Sequence, residues 1–336
     1  MKVRRDGEPI FGGISTFSDV EVVLEPGGLQ GVDVAIVGAP IDETVTYRPG
    51  ARFGPRAIRN AGYAAGLPHL DAGVSPFDAL RVVDYGDAEV VAADAERSHA
   101  AIRKVVGEVA RAGVVPVVLG GDHSIAHPDV GAVAEALRPE PVGLVHFDAH
   151  ADDAKDMDGV VRSHGTPMRL LVEEGSLRGE HVVQIGLRGY WPAQAEFDWA
   201  REQGFRWYLM EEVHRRGIQR VVDETVGALG GLRHVFLSVD IDVCDPAFAP
   251  GTGTPEPGGM ASQDLLWSVR ELARRLPVAG MEVVEVSPPY DHAEITALLA
   301  HRVILEALTG MSLRKLGRDP EPYHDRRPDL PGSPTS

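Results

Sequence analysis

The sequence predicts an α/β fold in which a parallel sheet of about eight strands lies between two layers of helices. Short runs rich in β-branched residues alternate with longer amphipathic stretches from residue 32 to residue 310, as in consecutive βα units. Several runs are apolar at consecutive positions, such as Val117, Val118 and Leu119, which indicates strands buried on both faces. These observations together predict a doubly wound, three-layer αβα sandwich.

Eight runs have the length and composition of buried strands, and we expect them to form one large sheet. In chain order they are VDVAIV from Val32, RVVDYG from Arg81, VVPVVLG from Val114, VGLVHFD from Val142, HVVQIGLRG from His181, FRWYLM from Phe205, HVFLSVDID from His234 and AGMEVVEVSP from Ala279.

Two helices in the C-terminal third have clear helical periodicity. The first is predicted from Ser262 to Leu276, and Pro277 ends it. The final helix is predicted to follow a capping pair formed by Asp291 and Glu294. Its buried stripe is expected to contain Ile295, Leu298, Leu299, Val303, Ile304 and Leu308.

No repeat or linker divides the chain, so residues 31–315 are expected to form a single domain. Residues 1–30 have no regular pattern and are predicted to be an irregular N-terminal arm. Residues 316–336 are polar and rich in proline. Such a segment buries too little apolar surface to offset its ordering entropy, which predicts a flexible tail.

Composition and charge argue against several classes of partner. The 336 residues include 33 Lys and Arg against 50 Asp and Glu, a net charge of −17. Nucleic acids and anionic membranes are bound by clustered cations, so we expect neither as a partner. The single cysteine, Cys244, cannot form an internal disulfide, and the first residues lack the apolar stretch of a signal peptide. We therefore expect a cytoplasmic protein.

Acidic and imidazole side chains follow three of the predicted strands, at the edge where open α/β sheets bind their ligands. The motifs are GGDHS with His123, DAHAD with Asp148, His150 and Asp152, and DID with Asp240 and Asp242. A spacing of two keeps side chains on one face of an extended segment, so the members of each motif can converge.

Several carboxylates at one edge are costly unless a positive charge lies among them. A pair of metal ions supplies that charge, and four carboxylates with two imidazoles suit Mn²⁺ better than a structural zinc. Two neighbouring ions can share carboxylates and lower the pKa of a bridging water, which becomes a nucleophile. A single acid at a strand end is more often a helix cap, but three such motifs favour a binuclear site for metal-assisted hydrolysis.

The sequence resembles the ureohydrolases, the arginase and agmatinase family, over nearly its whole length. The resemblance rests on YRPGARFGPRAIR from Tyr47, GGDHS, HFDAHAD, SHGTPMR, QIGLRG, SVDIDVCDPAFAPGTGTPEPGG and VEVSPPYDH, in that order. It implies that residues 31–315 are an arginase-like catalytic domain with two Mn²⁺ per subunit, which hydrolyses a guanidino group to urea and an amine. It also implies a homo-oligomer, either a trimer or a hexamer.

The resemblance implies a role for each matching residue. One manganese would be held by His123, Asp148, Asp152 and Asp240, and the other by His150, Asp148, Asp240 and Asp242. Asp152 would also orient the nucleophile. His164 in SHGTP matches a mobile histidine that could transfer a proton to the leaving amine, although a loop histidine could merely shape the pocket. Glu285 in VEVSP matches the acid that binds the guanidinium, although it could instead be a buried acid paired with an arginine.

Two alternatives keep this fold but not this chemistry. Arginase-like sheets also carry zinc-dependent deacetylases, and a degenerate relative could serve as a binding or assembly scaffold. Deacetylases lack the full set of paired ligands, whereas this chain has all six, together with His164 and Glu285. Amidinohydrolase activity is therefore the leading hypothesis.

The loop between the second metal motif and His164 suggests the substrate. It reads DAKDMDGVVRS, in which three acids outnumber Lys155 and Arg162. The acids are Asp153, Asp156 and Asp158. A negative loop would attract the second amine of agmatine and repel a carboxylate, which predicts agmatine, hydrolysed to putrescine, over arginine by at least about tenfold. If Lys155 or Arg162 turned inward, a guanidino acid such as 4-guanidinobutyrate, 3-guanidinopropionate or a proclavaminate precursor would be favoured instead.

Overall fold

The structure is a computed structural model that describes residues 12–63 and 66–321. Its core is a nine-stranded sheet, parallel throughout, with the strand order β1-β3-β2-β4-β9-β8-β5-β6-β7. The strands are β1 (Glu21–Val22), β2 (Val34–Ala39), β3 (Val82–Asp87), β4 (Val115–Gly120), β5 (Val142–Phe147), β6 (Val182–Leu187), β7 (Arg206–Leu209), β8 (His234–Asp240) and β9 (Val278–Val284). All eight predicted strands are present.

The ninth strand is β1, which lies within the segment predicted to be irregular. It pairs in parallel with β3, Glu21 opposite Val83 and Val22 opposite Asp84. Two residues are too few to produce a recognisable alternation, so this edge strand depends on the pairing rather than on its own sequence. Residues 1–11 of the predicted arm and residues 322–336 of the predicted tail lie outside the described residues.

Helices cover both faces of the sheet, which confirms the predicted α/β sandwich. They are α1 (Gly54–Asn60), α2 (Pro76–Ala79), α3 (Ala95–Arg111), α4 (Ala126–Ala136), α5 (Pro167–Glu173), α6 (Gln194–Gln203), α7 (Met210–Arg216), α8 (Ile218–Leu229), α9 (Ser262–Arg275) and α10 (Ile295–Leu316). Helices α3 to α6 pack on one face, and α1 with α8 to α10 on the other. Within β4, Val117 and Leu119 belong to one apolar core and Val118 to the other, as its uniformly apolar sequence predicts.

The last helix begins as predicted, but its cap differs in detail. The Asp291 carboxylate accepts hydrogen bonds from the backbone N–H groups of Thr296 and Ala297, 2.9 and 3.0 Å away. Glu294 makes no capping bond and has a left-handed backbone, φ 59°. By length and composition α10 could span a membrane, but 72% of its most apolar window is buried in the fold.

The sheet order brings the predicted site motifs together. Strands β4, β9, β8 and β5 are consecutive neighbours, so the segments that leave their carboxyl ends meet at one edge of the sheet. Sequence alone could not give this order, because β9 is inserted between β4 and β8.

Candidate metal centre and active site

A first group of predicted ligands surrounds the His123 ring. Its Nδ1 atom lies 3.0 Å from an oxygen of Asp148, 3.0 Å from one of Asp152 and 3.3 Å from one of Asp240. All four side chains are buried, and Nδ1 has no hydrogen-bond partner of full geometry. A lone pair facing three carboxylates in a buried space is the arrangement expected of metal ligands.

A second group adjoins the first through Asp148. The His150 Nδ1 atom lies 3.2 Å from Asp242 Oδ2 and 3.6 Å from Asp148 Oδ1, and the ligand atoms of these three residues lie within 4.8 Å of one another. Asp148 therefore presents Oδ2 to His123 and Oδ1 to His150. The structure brings all six predicted ligands into one cluster, with Asp148 between two imidazoles.

The electrostatics of the cluster demand positive charge. Burial alone would lower the pKa of His123, but its three carboxylate neighbours raise it well above the ordinary range. Burial alone would also lower the pKa of His150, but the neighbouring Asp242 carboxylate raises it to about 10. Burial, then repulsion from Asp242 and Asp148, raises the pKa of Asp240 well above its usual value. These raised pKa values mean that the carboxylates favour positive charge among them. Divalent cations would supply such charge, so the donor set fits a pair of metal ions.

Backbone N–H groups hold the carboxylates in place. Asp240 Oδ1 accepts from the N–H of Asp242 at 2.8 Å, and Asp148 Oδ1 accepts from that of His150 at 2.7 Å. Asp242 Oδ1 accepts from the N–H of Ala149 at 3.1 Å. Asp240 and Asp242 thus each direct their other oxygen, Oδ2, toward an imidazole of the cluster. The turns that follow β5 and β8 fix ligand geometry through their own backbone.

Sequence reasoning missed His146, which is fully buried in β5. Its Nε2 atom lies 2.7 Å from Asp148 Oδ2, and Gln184 of β6 lies 3.1 Å from its Nδ1. This imidazole orients the shared carboxylate from behind, as groups outside a metal's own ligands commonly do. The signal was present, because His146 precedes Asp148 by two and therefore shares its face of the strand. The partner Gln184 could not be found without the β5–β6 register.

Glu285 and His164, the two other predicted site residues, contact each other beside the cluster. His164 Nδ1 lies 3.3 Å from Glu285 Oε1, which also accepts a hydrogen bond from the N–H of His123 at 2.9 Å. Glu285 Oε2 is buried and has no partner. The other nitrogen of His164 lies 2.9 Å from the hydroxyl of Thr46. Burial alone would lower the pKa of His164, but the hydrogen bond and charge of Glu285 raise it to about 9.

The backbone is strained at two of these positions. Asp152 and Glu285 have left-handed φ values of 49° and 62°, which cost a non-glycine residue about 1 kcal/mol or more. Nearby, Gly121 approaches the segment after β2 so closely that a Cβ would lie 2.1 Å from the carbonyl oxygen of Ile41. Strain and close approach coincide with the cluster, which is typical of functional sites.

A cavity of about 160 Å³ opens onto the cluster. It is lined by Thr46, His150, Asp152, Met157, His164, Gly165, Trp191, Asp240 and Thr254. Only Met157 comes from the loop whose charges led us to expect agmatine. Asp156 and Asp158 are exposed, and Asp153 is buried away from the cavity, with its backbone carbonyl accepting from Arg169. That argument for the substrate therefore lacks structural support.

Residues 32–310 match the family model described as the arginase family. The chain belongs to the arginase family. The resemblance read from the motifs is thereby confirmed.

Arginase-family relatives match over most of their length. Mitochondrial agmatinase of Gallus gallus is 41% identical over 279 residues, covering 83% of this chain and 81% of that protein. Guanidinobutyrase of Pseudomonas aeruginosa is 39% identical over 300 residues, covering 89% and 93%. The structure of proclavaminate amidino hydrolase from Streptomyces clavuligerus has a TM-score of 0.85 at 37% identity, covering 91% of this chain and all of that one. This chain is therefore an amidinohydrolase of the arginase family.

Proposed function

We propose that this protein hydrolyses the guanidino group of a small linear substrate to urea and an amine, with a pair of Mn²⁺ ions held by the six clustered side chains. The observation that carries the proposal is the shared cluster itself. Asp148 faces His123 with one oxygen and His150 with the other, in a buried space rich in carboxylates.

The donor set suits manganese. Oxygen and imidazole ligands favour Mn²⁺ over the soft metals that thiolates select. Cys244, two residues after Asp242, does not offer a thiolate, because burial raises its pKa to about 12. When bound, such ions supply water activated as a nucleophile and a counter-charge for the carboxylates.

The remaining roles fall to side chains beside the cluster. The unpartnered Oε2 of Glu285 would accept hydrogen bonds from the guanidinium, since a buried carboxylate oxygen without a donor is costly. His164 lines the cavity and, with its raised pKa, is protonated at neutral pH. We assign to it the donation of a proton to the leaving amine. Asp152 lines the same cavity and would orient the attacking water.

Within the guanidino class, we propose agmatine as the preferred substrate, now for a different reason. The cavity walls described above contain two carboxylates and two imidazoles, whereas none of the described lysine or arginine side chains lines them. Met157 and Trp191 offer apolar surface to an alkyl chain. A substrate carboxylate would thus enter without a lysine or arginine side chain to pair with. The competing substrate is 4-guanidinobutyrate, because a guanidinobutyrase is among the relatives at 39% identity.

The test is urea release by the Mn²⁺-loaded protein from agmatine, arginine, 4-guanidinobutyrate and 3-guanidinopropionate, measured side by side. We expect agmatine to exceed arginine by at least about tenfold in kcat/KM, about 1.4 kcal/mol. Faster turnover of a carboxylate substrate would show that agmatine is not the preferred substrate, and the proposed hydrolysis of a guanidino group would still stand. Urea release from none of the four would overturn the proposed function.

A matched pair of variants tests the role of the cavity wall. Met157→Lys places a cation there and should shift preference toward 4-guanidinobutyrate, whereas Met157→Glu should shift it toward agmatine. The ratio of the two kcat/KM values should move in opposite directions. An unchanged ratio in both variants would place the substrate tail elsewhere.

A further inference from the structure

The arginine of the motif QIGLRG has no role in the proposed reaction, although it lies beside the metal-site cluster. Arg188 is the first residue after β6, and its side chain is partly buried. Its backbone N–H donates to the carbonyl oxygen of Ala149 at 2.9 Å, between the predicted ligands Asp148 and His150. The residue is therefore fixed by its own backbone to the turn that carries two metal ligands.

The guanidinium of Arg188 is surrounded by backbone carbonyl oxygens from two further segments of the site. The first segment, residues 242–244, begins with the predicted ligand Asp242, and the second, residues 254–259, begins with Thr254 of the cavity wall. The acceptors are the carbonyl oxygens of Asp242, Val243 and Cys244 in the first segment, of Glu256 and Pro257 in the second, and of Gly186 in β6.

The two shortest of these bonds join the two segments. Nη2 of Arg188 lies 2.7 Å from the carbonyl oxygen of Asp242 and 2.6 Å from that of Glu256. Nη1 adds Val243 at 3.1 Å, and Nε adds Pro257 at 3.2 Å. A guanidinium carries five N–H donors in a fixed planar fork, so one arginine can hold both segments at once.

The two segments also meet at the cluster itself. The hydroxyl of Thr254 lies 3.4 Å from Asp242 Oδ2, which is the oxygen directed toward His150. Arg188 binds the carbonyl of the same Asp242 and that of Glu256, two residues after Thr254. A shift of either segment would therefore move a predicted metal ligand, the cavity wall or both.

The positive charge of Arg188 would by itself oppose metal binding, because a cation beside the cluster repels an incoming Mn²⁺. Its hydrogen bonds act in the opposite direction. Carbonyl oxygens that converge on one point need donors, and the guanidinium supplies them while fixing the backbone of Asp242. Since the two effects differ in sign, the direction of a change in Mn²⁺ affinity distinguishes them.

We propose that Arg188 is a positioning residue that fastens residues 242–244 to residues 254–259, and thereby holds Asp242 in place for metal binding and Thr254 in the cavity wall. This inference rests on the metal site of the proposed function and extends it to a residue outside the six clustered side chains. Arg188 acts through the backbone of its neighbours, as groups that orient metal ligands commonly do.

The test measures Mn²⁺ affinity of the metal-free, full-length protein by calorimetric titration without substrate. Arg188→Ala should weaken one of the two Mn²⁺ equivalents by about 10- to 100-fold, the usual cost of losing such support, and the other by less than about threefold. Arg188→Lys keeps the charge and most of the side chain, so it tests the fork even if the alanine variant fails to fold. An ammonium has three donors and no planar fork, so we expect Arg188→Lys to weaken the same equivalent by at least about threefold.

The matched control is Arg270→Ala, which removes another partly buried arginine outside the cluster. Arg270 binds His69 and Glu306, so this variant should lower the melting temperature but leave both Mn²⁺ affinities unchanged. Tighter Mn²⁺ binding in Arg188→Ala, or wild-type affinity in Arg188→Lys, would overturn the inference and leave the proposed function intact. A wild type that binds no Mn²⁺ would overturn both.

Discussion

Replacing Glu285 with glutamine tests how the substrate is held. The change keeps the side-chain shape and an oxygen that can accept the hydrogen bond from the N–H of His123, but it removes the negative charge. The free Oε2 is buried and meets no donor, so the guanidinium would supply its only partner. Truncating or neutralising one partner of a buried charge pair typically costs about 2–5 kcal/mol. We therefore expect kcat/KM to fall by about 30- to 5000-fold.

The assay is steady-state urea release by the Mn²⁺-loaded variant, together with its metal content. Two Mn²⁺ per chain should be retained, because Glu285 is not among the clustered ligands. The control is Glu306→Gln, a buried acid outside the site, which should keep kcat/KM within about threefold of wild type. If Glu285→Gln also stayed within about threefold, Glu285 would not bind the guanidinium.

The remaining predictions concern the metals, the thiol and acid stability. Asp240→Ala should lose most bound manganese and nearly all activity, and two equivalents retained by metal analysis would contradict its place in the cluster. Cys244→Ser should retain turnover, and the native thiol should resist thiol-specific reagents, because it is buried and its pKa is about 12. Burial, with the charges of His127 and Arg162, lowers the pKa of His99 to about 4, so stability is full above pH ~6.5 and is lost as pH falls. Between pH 7.5 and 5, the metal-free wild type should lose about 2 kcal/mol more stability in urea unfolding than His99→Gln does, and equal losses would refute the assignment.

The sequence was sufficient for most of the fold because its strands are strongly apolar and its helices strongly periodic. Strand β1 was missed because Glu21 and Val22 are too few to form a pattern, and their pairing with β3 comes from the tertiary structure. The cap of α10 was placed correctly at Asp291, but the geometry of Glu294 depends on a left-handed turn that its residue type does not predict.

The sequence predicts the clustered ligands of the site but not the residues whose role depends on tertiary contacts. The six clustered side chains were found because each follows a strand, and the carboxyl ends of parallel strands meet. Ser238, whose hydroxyl oxygen lies 2.9 Å from Nε2 of His123, is inside strand β8, and its place at the site depends on tertiary contacts that its sequence position does not reveal. The charge of the loop after Asp152 was misleading, because counting charges does not say which side chains face the cavity. Only Met157 of that loop does so.

The most direct test of the central claim is a Mn²⁺ titration of the metal-free protein, with urea release from agmatine measured at each step. If the six clustered side chains hold a catalytic pair of ions, activity should rise from near zero and saturate at two equivalents of Mn²⁺ per chain, with urea and putrescine formed in equal amounts. Full activity without added metal, saturation at one equivalent, or no urea at two equivalents would contradict the account.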